Sequence, residues 1–465
     1  MKNILISILI FIFFFIFYSK EYKKIPIRYW DEHGWIGRGY YFDLYLKRDF
    51  KNDLWNNYYS YNQPKLAEYL YGFVLYPKYL SYKKEEKLKN YDFAKFLIDH
   101  NFYKISSKEY EYYKNSKNEF INWGKNPREV FDVSPEFLIK KFGSGIKKTI
   151  NLVYAARKIN ILILSLTVVI VYLLSVILSK SKAVAILTSI FYGTNILIVN
   201  ASLRAQSEGL FLFLFNLSLL LLILFFQNDK NSFKIGLAFF SVSAFLTATK
   251  LNGLMMPVIF NLIGFFIFIY KFFNKNKVCT KILKTLLFGN ILFFFVFVFH
   301  HPLLIKNPLN GLILLFNHRY NTALHQAEYE LPETALWSFK DRILAIYKNF
   351  FSEKEIIYYN NYFIFKNLIS KHPKIFSYLF LLSFIGGLFL FIKEKIKLFW
   401  YFLVTFALII LFMGFYLMLN WDRYFVHLHF FQIFFIIYGK NFFKFIFLLK
   451  QPKLHNNLDL EKRYP

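Results

Sequence analysis

The chain has 465 residues, of which 56% are hydrophobic, and its formal net charge at pH 7 is +29. Long runs of Phe, Ile and Leu exclude an ordinary soluble domain and are typical of an integral membrane protein. Because the basic residues flank these apolar runs, the charge indicates a positive-inside bias and attraction to anionic membrane lipid. We therefore expect no nucleic-acid partner.

The first predicted element is an apolar segment over residues 4–19, with Lys2 before it and further lysines after it. Its end lacks the small-x-small pattern of a cleavage site, so we expect an uncleaved membrane helix rather than a signal peptide. A polar block, Trp30-Asp31-Glu32-His33, follows it. A carboxylate pair held at a membrane surface is costly to maintain and suited to proton transfer.

Further apolar segments of about 20 residues, enough to cross a bilayer, recur after a long polar gap. They lie at 159–179, 183–200, 209–226, 235–249, 253–272, 285–301, 374–392, 398–419 and 427–448. With the first segment they predict an all-α polytopic membrane protein of about ten transmembrane helices. We expect residues 1–450 to form one transmembrane domain and residues 451–465 to form a cytoplasmic tail.

Two large loops, residues 20–158 and 302–373, interrupt the apolar segments. They are too long and too aromatic to be plain linkers, so we expect them to pack together as a cap over the membrane domain. The short loops are basic alternately, beginning with Ser179-Lys180-Ser181-Lys182, which predicts that they are cytoplasmic and that both large loops lie outside the cytoplasm. The expected location is a bacterial inner membrane.

With this topology, polar residues near helix ends gather on the extracytoplasmic side. They are Asp31, Glu32, Arg204, Glu208, Lys250, His300, His301, His318, Arg319, Asp422 and Arg423. Each also has a structural explanation, since Arg and Lys snorkel at helix ends, a neighbouring acid and base can pair, and histidines can cap a helix. Chance would distribute such residues over both faces. Their shared side favours a site where a carboxylate takes a proton and cations bind a lipid phosphate.

Six short motifs occur in a fixed order along the chain. They are Asp31-Glu32, the stretch from Tyr61 through Gln63-Pro64-Lys65 to Gly72, Ala155-Ala156-Arg157, Arg204-x-x-x-Glu208, Thr249-Lys250-x-Asn252-Gly253 and Arg423-Tyr424. Over residues 1–450 this order resembles the GT-C superfamily of integral-membrane glycosyltransferases, especially its protein O-mannosyltransferase and lipid A aminoarabinose transferase branch. The family places its Asp-Glu pair in the first extracytoplasmic loop, as found here.

The chain departs from the family pattern in three places. Gln63-Pro64-Lys65 stands where the family has His-Pro-Pro or Lys-Pro, residues 80–150 look like an insertion, and no large soluble C-terminal domain follows. The Gln leaves a divalent metal open, and the resemblance indicates no definite cofactor. The sequence has no Gly-rich phosphate loop, no CxxC or HExxH motif, and a single cysteine, Cys279, which excludes an internal disulfide.

The resemblance implies transfer of one sugar, with inversion, from a polyprenyl-phosphate donor to a hydroxyl on a protein, lipid or glycan acceptor. It implies that Asp31 is the general base and that Glu32 positions the acceptor or a neighbouring cation. The implied donor-phosphate ligands are Arg204, Lys250, Arg319 and Arg423, and further site candidates are Lys65, Glu208, His301 and Asp422.

Three other functions stay open. A transporter or flippase of lipid-linked sugars would place charges near the bilayer midplane and often has two related halves, whereas these charges lie at one face and no repeat is visible. A lipid-linked glycan polymerase or ligase would concentrate polar residues in a large later loop. The early Asp-Glu pair argues against it, while residues 302–373 keep it open. A noncatalytic assembly subunit is the third alternative.

Overall fold

The computed structural model describes residues 2–56, 60–61, 63–89, 91–100, 132–227, 231–275, 278–330, 332–352, 371–393 and 397–450. The predicted cytoplasmic tail, 451–465, lies outside the described residues. So do residues 101–131 of the first large loop and 353–370 of the second.

The N-terminal part of the chain consists of one long apolar helix followed by short elements. They are α1 (Lys2–Glu21), β1 (Ile27–Arg28), α2 (Tyr29–Gly37), α3 (Tyr40–Leu46), α4 (Leu66–Glu85), α5 (Phe93–His100), β2 (Asp132–Val133) and α6 (Pro135–Phe142). The two strands pair antiparallel, with Ile27 opposite Val133 and Arg28 opposite Asp132. This pairing fixes the chain that leaves α1 and brings Asp132 beside Arg28.

The rest of the described chain is built of apolar helices, because a backbone within a bilayer must satisfy its own hydrogen bonds. They are α7 (Lys147–Ser179), α8 (Lys182–Gly193), α9 (Ile196–Leu203), α10 (Ser207–Gln227), α11 (Ser232–Thr249), α12 (Met255–Phe273), α13 (Val278–Phe299), α14 (Pro302–Lys306), α15 (Pro308–His325), α16 (Phe339–Phe351), α17 (Pro373–Lys393), α18 (Lys397–Tyr416) and α19 (His429–Lys450).

Seven helical segments within the described residues are long and apolar enough to cross a membrane, and α8 with α9 makes an eighth if the pair forms one span. The chain is thus an all-α polytopic membrane protein, as predicted. The apolar helices Trp400–Tyr416 and Val426–Gly439 fall below that length. The count of ten spans stays a prediction.

The span expected over residues 183–200 is not one straight helix. It breaks between α8 and α9, which are bent by 59°. The side chain of Asn195 accepts hydrogen bonds from the backbone N–H groups of Leu197 and Ile198, and so it caps a new helix at this point. Asn is a poor residue for a helix interior and a good one for a helix start, which explains the break.

The helices pack through an aromatic core, and two of them approach each other most closely where glycines lie at their contact. Phe391 and Phe402 are fully buried between α17, α18 and α19. Gly387 of α17 lies against the backbone of Phe435, and Gly439 of α19 lies against the backbone of Ser383, so a Cβ at either glycine would collide with the partner helix. The two helices therefore approach more closely than larger side chains would allow.

The two large loops are in contact, since the ring of Tyr61 stacks on that of His318 with centroids 5.2 Å apart. The first loop also contacts the end of α13, where the hydroxyl of Tyr69 donates to the carbonyl of His300 at 3.1 Å. Tyr71 of α4 and Val153 of α7 are fully buried in one cluster with Phe93 of α5. We call α2–α6 and α14–α16 together the cap.

Candidate functional site

A polar cavity of about 380 Å³ lies between α2, the first turn of α10, the chain after α11, the helix α15 and the turn at residues 422–424. Its lining residues are Asp31, Gly34, Trp35, Arg38, Gln63, Ser207, Glu208, Lys250, His318, Arg319, Asn321, Thr322, His325, Gln326, Arg423 and Tyr424. Six of the polar residues that the sequence places together line it: Asp31, Glu208, Lys250, His318, Arg319 and Arg423.

Four of these side chains form a network in which negative and positive charges alternate. The guanidinium of Arg423 donates a hydrogen bond to the carboxylate of Asp31, and its Nε lies 4.0 Å from Oε1 of Glu208. The ammonium of Lys250 donates to the same Glu208 oxygen at 2.8 Å. The negative and positive groups offset one another, so these four linked side chains hold Asp31 in a fixed place without adding net charge to the cavity.

Arg319 contributes a positive charge that no carboxylate of the described residues neutralises. Its Nη2 donates to the hydroxyl of Tyr424 at 2.9 Å. Burial acts to raise the pKa of Tyr424, but the cations Arg319, Arg423 and Lys250 outweigh it and lower that pKa below its usual value. The cavity therefore has a net positive potential around the Tyr424 hydroxyl, which favours an anionic ligand.

Glu32 is next to Asp31 in the sequence but does not line the cavity. Its fully buried carboxylate accepts two hydrogen bonds from Arg157, at 2.8 and 2.6 Å. It also accepts from the backbone N–H groups of Ala205, at 2.7 Å, and Arg28, at 3.0 Å. Glu32 thus ties the chain after α1 to α7 and to the α9–α10 connection, and it does not face the site.

The α9–α10 connection is held by further buried polar contacts. Asn160 of α7 donates to the carbonyl of Arg204 at 2.5 Å, and the hydroxyl of Tyr71 donates to the carbonyl of Gln206 at 2.5 Å. These bonds satisfy backbone carbonyls of the connection itself, which lies outside both helices. Their consequence is that Glu208, in the first turn of α10, is presented to the cavity.

Arg204, predicted as a phosphate ligand, is also directed away from the cavity. Its Nη2 donates to Asp132 at 2.6 Å, and Asp132 in turn accepts from Nε of Arg28 at 2.9 Å. Burial alone would raise the pKa of Asp132, but the charges of Arg204 and Arg28 lower it below its usual value. The two arginines and the acid fasten the β1–β2 pair to the α9–α10 connection.

Lys65 and His301 lie beside the cavity in a separate buried cluster. The ammonium of Lys65 is 2.9 Å from Oε2 of Glu68 and 4.5 Å from the ring centroid of Tyr41. Burial lowers the pKa of Lys65 to about 8. Burial, and then the charge of Lys65, lower the pKa of His301 to about 3. Glu68 also accepts from Arg38 at 2.5 Å, so the cluster supports one lining residue of the cavity.

Asp422 begins the short 3₁₀ turn Asp422–Tyr424, but its side chain lies outside what the structure describes. The turn itself places Arg423 and Tyr424 against the cavity. Arg423 is further packed over the ring of Trp421, with 4.5 Å between the guanidinium carbon and the centroid. This stacking orients the arginine toward Asp31.

Sequence reasoning missed several lining residues. Arg38 follows Asp31 by seven residues, directly after the end of α2, and nothing local marks it as facing the same cavity. Thr322 and His325 line the cavity from the same face of α15 as the predicted His318, at spacings of four and three. Polar residues at that helical spacing in a largely apolar helix are the signal that could have found them.

A second, mostly apolar cavity of about 350 Å³ adjoins the first. Its walls come chiefly from α15 and α18, through Phe316, Ala323, Phe412 and Phe415. Four residues line both cavities: Gln63, Lys250, Arg319 and Tyr424. The unneutralised charge of Arg319 therefore lies at the junction between a polar and an apolar space.

Within the described ranges, no three His, Cys, Asp or Glu side chains are placed to hold a metal ion. We derive no step through a metal. In the comparisons with known proteins, no family model, no curated protein and no solved structure matches the chain.

Proposed function

We propose that the chain is a membrane glycosyltransferase, which moves a single sugar from a polyprenyl-phosphate donor to a hydroxyl acceptor on the extracytoplasmic face. One observation carries this proposal: a cavity with a carboxylate and an excess cation adjoins an apolar cavity, and Arg319, Lys250 and Tyr424 line both. A ligand that fits both spaces has an anionic head and a hydrocarbon chain.

The donor fits the two cavities in one orientation. Its isoprenoid chain occupies the apolar space beside Phe316 and Phe412. Its phosphate lies at the junction, where Arg319 supplies a charge-assisted hydrogen bond. The hydroxyl of Tyr424 accepts from Arg319, so its own hydrogen is available for a phosphate oxygen. The sugar then extends into the polar cavity, toward Asp31.

Asp31 is the proposed general base. Its carboxylate takes the proton of an acceptor hydroxyl about 3 Å away as the acceptor oxygen bonds to the anomeric carbon. The bond from that carbon to the phosphate oxygen breaks, and its electron pair leaves with the phosphate. Asp31 on α2 and Arg319 on α15 come from different walls of the cavity, which suits attack opposite the leaving group and hence inversion.

The cations do different work in this reaction. Arg319 stabilises the negative charge that develops on the departing phosphate, a type of contact whose loss costs about a hundredfold to a thousandfold in rate. Arg423 keeps the Asp31 carboxylate in place, and Lys250 neutralises Glu208 beside it. Glu32 and Arg204 act through other residues, because their side chains are paired away from the cavity.

The test uses purified protein in liposomes with a polyprenyl-phosphate sugar labelled in both the sugar and the lipid. A cell-envelope extract serves as the acceptor. The proposal predicts that the sugar label separates from the lipid label and moves to an acceptor. Movement of intact donor across the bilayer, with both labels together, would show a flippase instead and would overturn the proposal. An assembly subunit would leave the donor unchanged on both sides.

A further inference from the structure

A third cavity shares no lining residue with the polar cavity. It is an open cleft of about 480 Å³ between α4, α5 and the first turns of α7. Lys78 and Ser81 line it from α4, Lys148 and Asn151 from α7, and His100 from the end of α5. Nothing in the proposed reaction uses this cleft.

The cleft carries an excess of positive charge. Lys78 and Lys148 line it, and Lys158, nearly two turns beyond the lined part of α7, is close enough to repel Lys78. Burial and this repulsion together lower the pKa of Lys78. Glu85 is the one carboxylate among its described lining residues, and the remaining titratable groups there are Tyr82 and His100. Like charges held together in this way are stabilised by an anion between them.

The position of Lys158 relates the cleft to the bilayer. It is the last charged residue before an uncharged run over residues 159–179 of α7. Lys158 is exposed on the same helical face as Leu162 and Leu166, whose exposed fractions are 38% and 37%. This face turns outward from the helix bundle, so in a membrane it contacts lipid. A lipid lying along it has its headgroup at Lys158 and the cleft.

We infer that this cleft binds the phosphate headgroup of an anionic membrane lipid, in the leaflet that faces the cap, with an acyl chain along Leu162 and Leu166. Lys78 and Lys158 contact the phosphate, and Lys148 with Asn151 contacts the rest of the headgroup. This site is independent of the proposed transferase reaction. The lipid would anchor α4 and α5 of the cap to α7 of the membrane domain.

Native mass spectrometry of the purified full chain tests this inference with phosphatidylglycerol as the probe and phosphatidylcholine as the neutral comparison. The variants are Lys78→Gln, Lys158→Gln and the double variant. Lys140→Gln is the matched control, since Lys140 is exposed on α6 and lies outside the cleft. Each single variant should bind phosphatidylglycerol about fivefold more weakly, as about 1 kcal/mol per lysine implies, and the double variant about twenty-five-fold more weakly. The control should bind normally.

Three results would overturn the inference: unchanged affinity in the double variant, equal binding of phosphatidylcholine, or full competition by soluble glycerol phosphate. The last would mean a site for a free phosphate ester rather than a lipid. The thermal midpoint of each variant is measured alongside, and exposed lysines replaced by glutamine should leave it unchanged. Because the readout is lipid binding, the result does not depend on whether the chain transfers sugars.

Discussion

Arg423 donates a hydrogen bond to Asp31 across 392 positions of sequence. Asp31 comes from the first helix after α1, and Arg423 comes from the turn before the last helix. Their contact means that the ends of the described chain must pack correctly before the cavity exists. It also gives the proposed general base one fixed orientation, which a solvated loop carboxylate would lack.

The buried pair of Glu32 and Arg157 should be a major determinant of stability. Both side chains are fully buried, so Arg157→Met leaves an uncompensated carboxylate and should reduce the free energy of unfolding by about 3–5 kcal/mol. Steric trapping in bicelles measures this change. Lys140→Gln, an exposed change on α6, is the control and should be neutral. A loss as small as that of the control would mean that the pair does not hold the fold.

Arg319→Gln should impair the reaction at the donor phosphate. The variant loses the unneutralised charge at the junction of the two cavities, and kcat/KM for the donor should fall about a hundredfold to a thousandfold. Steady-state transfer assays give this value. Lys340→Gln, an exposed change on α16, should leave it unaltered. Equal kcat/KM in both variants would remove Arg319 from the proposed phosphate site.

Ala323→Phe should impair binding of the donor's lipid chain without changing the polar cavity. Ala323 lines the apolar cavity and not the polar one, so the new ring should fill part of the apolar cavity. Displacing about two carbon groups of the donor chain, at about 0.8 kcal/mol each, should raise KM for a long-chain donor about tenfold. A short-chain donor should be much less affected, and Ala323→Ser should behave like the wild type. The same KM increase for both chain lengths would argue against lipid in that cavity.

The lowered pKa of Asp132 predicts a specific dependence of stability on pH. Its folded-state pKa is lowered below 3.8, so its carboxylate stabilises the fold above that pH, and the contribution is lost as pH falls through the folded-state pKa. Asp132→Asn should therefore be less stable than the wild type at pH 7. The difference between their thermal midpoints should shrink below pH 3.8. A difference that stays constant down to pH 3 or grows there would contradict the ion-pair account.

The membrane class was predictable because hydropathy is a local property. An uncharged apolar run such as residues 159–179 is sufficient to predict a helix. The bend at Asn195 was not predicted, because the run 183–200 satisfies the same rule and the cap depends on which backbone N–H groups the Asn side chain reaches. Hydropathy indicates that a segment can be helical and does not indicate where it is interrupted.

The site was predictable only in part, for a reason visible at Asp31 and Glu32. Successive residues on a helix point about 100° apart, so adjacent acids on α2 point in different directions. Which of the two acids faces the cavity depends on contacts with Arg157 and Ala205, which lie far along the chain. Arg204 was misleading for the same reason, since its partner Asp132 carries no local signal. A sequence identifies which residue types are available and leaves their direction to packing.

The most direct test of the account is the rate of sugar transfer by Asp31→Asn, compared with Asp53→Asn. Asp53 is an exposed acid of the same loop that does not line the cavity, so its variant should retain the wild-type rate. Asp31→Asn should reach normal membrane levels and bind the donor, while its transfer rate falls by about a hundredfold or more. A transfer rate equal to that of Asp53→Asn at equal membrane levels would contradict the central claim that Asp31 is the base.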